Sequence, residues 1–185
     1  MSLHKDPELK EAVLNLPEKE KDKLLVRLIG KDTMLMKQLH FQLLEDESDL
    51  TYRIDKLRQK LLDLLSPYRL KALNTPNNRN YKELTTILRY ASGLINEHEK
   101  ITKDKFSEVE FRLMILNLPL KECPTLFDKS TLFYYGADKL HLYIKSKLKT
   151  TLTKYYKLHE DLQYDLHLLY DNVFSFGIEN NLIDN

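Results

Sequence analysis

Residues 50–64 read LTYRIDKLRQKLLDL, and this stretch decides the fold class. Its apolar positions Leu50, Ile54, Leu57, Leu61 and Leu64 step by four, three, four and three residues, the spacing that lines one face of an α-helix. Outward in both directions the same three- and four-residue period recurs, and no run shows the strict alternation of a half-buried strand. The expected fold is all-α: seven to nine helices arranged as antiparallel helical hairpins, in a bundle or a short irregular αα-superhelix.

Upstream, Asp6 and Pro7 start a first helix that runs to Leu16, and Pro17 starts a second. The second helix is expected to bury Leu24, Leu25 and Leu28 and to stop at Gly30, where Asp32 caps a third carrying Leu35, Leu39 and Leu43. So short a connection predicts a helical hairpin, which the acidic patch at residues 45–49 ends. Downstream, Ser66-Pro67 ends or kinks the fourth helix, and the Asn-rich stretch at 74–80 is the clearest loop. The chain reads as a single domain, 1–185, with the 74–80 loop as its one candidate subdivision.

Asn80 and Glu83 form a capping-box pair for a helix through Leu84, Ile87, Leu88, Ala91 and Ile95. A helix near 103–117 follows, then a loop bracketed by Pro119 and Pro124, an aromatic cluster at Phe127, Phe133, Tyr134 and Tyr135, and a long helical region from about Ala137 to Val173. Residues 13–20 and 115–122 agree at six of eight positions (VLNLPEKE and ILNLPLKE), a candidate duplicated helix-Pro-helix unit or a chance recurrence of a Leu-rich helix end before a proline.

The 185 residues carry 29 basic and 28 acidic side chains, a formal net charge of +1, so any electrostatic function is regional. A charged fraction of 31% with only 4 Gly and 6 Pro excludes fibrous and low-complexity classes, and a leucine at about one position in five suits helices. The single cysteine, Cys123, excludes an internal disulfide framework and points to a reducing, cytoplasmic compartment. No apolar stretch is long enough to cross a membrane, and the first residues carry charge where a signal peptide is apolar.

The chemistry-bearing motifs are sparse. The four glycines are isolated, so no phosphate-cradling glycine loop is present, and no GxSxG elbow or HExxH motif occurs. Glu8 and Glu11 followed by Asp46 and Asp49 resemble the ExxE and ExxD pairs that hold Mg²⁺ in all-α nucleoside triphosphate hydrolases, though the second pair has Asp where that family uses Glu. Acids at a helix start and at a hairpin exit account for the same residues. No catalytic, metal or cofactor residue is assigned. His159 is expected to be structural, because it falls on the stripe Ile144, Leu148, Leu152, Tyr155, Leu162, Leu166, Leu169 and Val173.

The least ordinary feature is the charge layout at the C-terminal end. Residues 129–157 hold seven lysines and one acid, a local balance of +6, whereas residues 158–185 hold six acids and no Lys or Arg. Lys139, Tyr143, Lys147, Lys154 and Lys157 fall together as a candidate basic face opposite the apolar stripe. A continuous helix would set these blocks against its own dipole, which predicts a break near Thr150–Thr153 or near residues 157–161. Tyr156, Tyr170, Phe174 and Phe176 are candidate interface residues for self-association or a protein partner.

The function expected from sequence is that of a non-catalytic cytoplasmic helical scaffold or protein-interaction protein. The alternatives are a nucleic-acid-associated protein using the lysine face and a metal-dependent all-α nucleotide hydrolase.

Overall fold

The computed structural model describes residues 5–128, 134–180 and 182–183, and among these every regular element is helical. Two compact units form, Met1–Asp46 and Glu47–Asn185. The 74–80 loop lies inside the second unit.

The first unit comprises α1 (Pro7–Leu14), α2 (Glu18–Ile29) and α3 (Thr33–Leu44). Its starts follow the sequence signals: Asp6 accepts from the Leu9 amide at 3.0 Å, and Asp32 from Met34 and Leu35 at 2.9 and 3.0 Å. Its expected core does not form. No residue of these three helices is buried, and Leu25, Leu28 and Leu43 are 56%, 52% and 71% exposed. Amphipathic spacing specifies an apolar face but does not supply the surface that covers it.

The second unit contains α4 (Glu47–Leu64), α5 (Pro67–Leu73), α6 (Asn78–Thr102), α7 (Lys105–Glu122), α8 (Tyr135–Tyr155) and α9 (Glu160–Glu179), with a 3₁₀ turn at Pro124–Phe127. Its core is continuous, from Leu61, Leu65 and Leu70 through Leu84, Leu88, Ile95, Phe111 and Leu116 to Ile144, Leu148 and Val173. The α6–α7 hairpin turns through Lys103, which caps α6 in the left-handed region at φ 58°, and Asp104, whose carboxylate accepts from the Ser107 amide. Asn78 meets Gly136 and Leu88 meets Tyr143, so α6 and α8 run parallel. In α8 and α9, Tyr156 meets Tyr170 and Leu148 approaches Gly177, so these two run antiparallel.

Three local expectations are corrected. The cap of α6 is Asn77, which accepts from the Asn80 amide at 2.9 Å, so the helix begins before the Asn80–Glu83 pair. Pro119 lies within α7 rather than in a loop, because Ile115, Leu116 and Leu120 are buried around it and hold the last turn despite the lost hydrogen bond. The matching residues 13–20 instead break into two helices at Pro17, where no core holds them, so the similar octapeptides adopt different structures.

The C-terminal region does break, between Tyr155 and Glu160, at the change of charge sign. His159 therefore leaves the stripe. Its side chain is 74% exposed and its Nδ1 accepts from the Asp161 amide as the cap of α9. The helical spacing of the stripe does not continue through the non-helical joint that follows Tyr155.

Candidate functional site

The parallel pairing of α6 and α8 builds a cleft of about 680 Å³. Close approach at its mouth depends on Gly136, where a Cβ would stand 2.7 Å from that of Tyr81. The Gly136 amide donates to Asn78 Oδ1 at 3.0 Å, which sets the two helix starts side by side. Lys82, Thr86 and Arg89 face outward from α6 at helical spacing, and Tyr135, Lys139, Leu142 and Tyr143 form the α8 wall. No carboxylate lines this groove among the described residues.

Tyr143 anchors the wall. Its hydroxyl donates to the Leu88 carbonyl at 3.1 Å and receives the Ser92 hydroxyl at 2.8 Å. Burial pushes its phenol above the usual range. Arg89 and Lys147 lie over the Tyr143 ring at 5.8 and 5.4 Å, and Lys139 lies over Tyr135 at 4.4 Å. The rings thus hold the cations in place.

The five-residue basic face read from sequence divides in space. Lys139 and Tyr143 line the α6–α8 groove and Lys147 sits above Tyr143, while Lys154 and Lys157 line a second cleft of about 590 Å³ with Lys105, Glu108 and Lys149. One face of α8 meets α6 along its first half and the start of α7 further on. Lys129, the first lysine of the block, and Phe133 of the aromatic cluster lie outside the described residues.

The second cleft is partly neutralised by a buried acid that the sequence reading did not single out. Glu108, 1% exposed, takes Lys154 Nζ at 2.7 Å and Arg112 Nη2 at 2.8 Å on Oε1, and Arg112 also reaches Asn96 at 2.7 Å. Lys105 stands 3.9 Å from Oε2 and bonds Glu99. That bond holds the Lys105 ammonium above its ordinary range and the Glu99 carboxylate below. The spacing of Glu108 and Arg112 was the available signal, but an i,i+4 pair is common on exposed helices and does not reveal burial.

The candidate interface aromatics are used within the chain. Tyr170 stacks on Tyr155 at 4.3 Å and on Phe174 at 5.4 Å, the Tyr156 and Tyr170 hydroxyls meet at 2.5 Å, and Phe176 packs edge-on against Phe127 at 5.4 Å. Tyr156 still keeps 58% of its surface exposed. Large apolar side chains are exposed on both units, and on the first unit no buried core accompanies them. Leu9, Leu14, Leu25, Val26, Leu28, Met36, Leu43 and Leu44 are 41–74% exposed there.

Glu8 and Glu11 are exposed on α1, and no group of three His, Cys, Asp or Glu residues placed to hold a metal occurs among the described residues. The Cys123 thiol is buried, donates to the Leu70 carbonyl at 3.0 Å, and is pushed up to about 12 by burial. No helix among the described residues is long and apolar enough to cross a membrane. The chain matches no family model, no curated protein and no solved structure.

Proposed function

We propose that this chain is a non-catalytic helical interaction protein that joins copies of itself through α1–α3. The observation that carries this reading is that three helices contain no buried residue while presenting eight large apolar side chains. Seven of the twelve residues of α3 are apolar and one, Lys37, carries a formal charge, so much of this helix's surface gains from being covered.

A second copy is the occupant that the charge pattern fits. Residues 5–46 hold eight bases and nine acids, and the polar start of α2 alternates Glu18, Lys19, Glu20, Lys21, Asp22 and Lys23. Two such surfaces meet without net repulsion, and a two-fold pairing places the same residues on both sides. Fully burying a large aliphatic side chain is worth about 1.5–3 kcal/mol; these eight are 41–74% exposed and gain roughly half of that each, which two copies together set against an association cost of about 4–15 kcal/mol.

Size-exclusion chromatography with light scattering tests the reading. The full chain is expected at twice its 22.0 kDa mass, and a Leu25→Lys/Leu28→Lys variant at the monomer mass with an unchanged helical circular dichroism signal. A monomeric wild type at 100 µM or so would remove the proposal.

A further inference from the structure

The α6–α8 groove is lined by residues of the second unit alone, and we propose that it binds phosphoryl groups. Lys82, Arg89 and Lys139 all border it, and no ion pair engages any of the three among the described residues. Lys82 and Arg89 are seven positions apart on α6, about 10 Å along the axis, so the positive charge extends along the groove rather than at one point.

Two long helices add to this field. Asn78 opens α6, of 25 residues, and Tyr135 opens α8, of 21, and both starts stand at the same end of the groove. Each contributes the positive end of its dipole. The nearest acid on α8, Asp138, is exposed in the first turn and does not line the groove, and Glu83 beside Lys82 turns to Arg69 at 3.4 Å.

The cation–π contacts select the kind of ligand. The rings of Tyr135 and Tyr143 already carry Lys139, Arg89 and Lys147, so they act as platforms that hold cations rather than as open faces for stacked bases. An arginine fork and one ammonium group on ring supports, with Lys82 beside them, suit the oxygens of a phosphoryl group. That group has two sources, a free polyphosphate and the backbone of a single-stranded nucleic acid.

Isothermal titration of the full chain with inorganic tripolyphosphate, and separately with a ten-nucleotide oligo-dT, tests the site and distinguishes the sources. Binding by either is expected to weaken at least fivefold in Arg89→Gln and in Lys139→Met, and to be unchanged in Lys121→Met, an exposed lysine of α7 that does not line the groove. Tripolyphosphate binding would assign the site to small polyphosphates, and oligonucleotide binding alone to the nucleic-acid backbone. Binding of neither at low salt, the same affinity in both groove variants as in wild type, or equal competition by oligoglutamate would overturn the proposal. Circular dichroism of the two variants, both at exposed positions, separates lost binding from lost folding.

Discussion

Lys154 on α8 sets its ammonium 2.7 Å from Oε1 of Glu108 on α7, a carboxylate of which only 1% is exposed. The same oxygen receives Arg112 from one turn along α7, and Arg112 continues to Asn96 on α6. Three helices are therefore tied at one buried charge. Such a charge is tolerated only because its partners are present, and removing it strands a guanidinium that is itself 8% exposed.

Glu108→Gln is accordingly expected to destabilise the protein by about 3 kcal/mol, the usual cost of breaking a buried pair from one side. Lys154→Met leaves Arg112 in place and removes a side chain that is 33% exposed, so its expected cost is under about 1 kcal/mol. Urea denaturation of the two variants checks the order. Equal losses would show that Arg112 does not carry the pairing.

The pH dependence of stability is expected to report His98. Its ring is 7% exposed, bonds Ser107 Oγ at 2.8 Å and meets the Phe111 ring at 5.9 Å; burial pushes it below its ordinary value, against a weaker upward pull from Asp104. Arg53 also lowers it and Glu108 raises it. With the folded value depressed, the unfolded chain takes up the proton first as pH falls, so this contribution is full above about 6.5 and is lost on acidification below it. His141, lowered by the burial of its ring, acts in the same direction. Urea melts at pH 7.5 and 5.5 are expected to show a smaller pH difference in His98→Gln than in wild type, and an unchanged difference would exclude this assignment.

Cys123 gives a probe of cooperativity in the second unit. Its thiol is fully buried against Leu70 and held far above neutral pH. A thiol reagent at pH 8 is expected to label it only as urea unfolds the core, on the same transition as circular dichroism. Rapid labelling of the native protein would place the 3₁₀ turn at Pro124–Phe127 outside the cooperative core.

Much of this helical architecture was legible from local signals, for physical reasons that particular residues show. Asp6, Asp32 and Ser66-Pro67 mark boundaries through hydrogen bonds and backbone restrictions that act within a few residues. The Leu50–Leu64 stripe is helical, but its burial is uneven: Leu61 is fully buried, Ile54 and Leu57 are partly so. What was not legible depends on partners distant in sequence. Pro119 needed the core that holds the end of α7, whereas His159 did not: the break expected near residues 157–161 already takes it off a continuous stripe. The α6–α8 groove was half visible in Lys139 and Tyr143. Lys82 and Arg89 complete it from a helix more than fifty residues earlier, and nothing in α8 alone names them.

Hydrogen exchange as a function of protein concentration tests the central claim, self-association through α1–α3, most directly. Amides of residues 18–44 are expected to become slower to exchange as concentration rises from about 1 to 100 µM, because pairing buries helices that have no core of their own, while α6 and α7 exchange at the same rate throughout. Exchange in residues 18–44 that is independent of concentration, or protection that grows instead around Tyr156 and Tyr170, would contradict it.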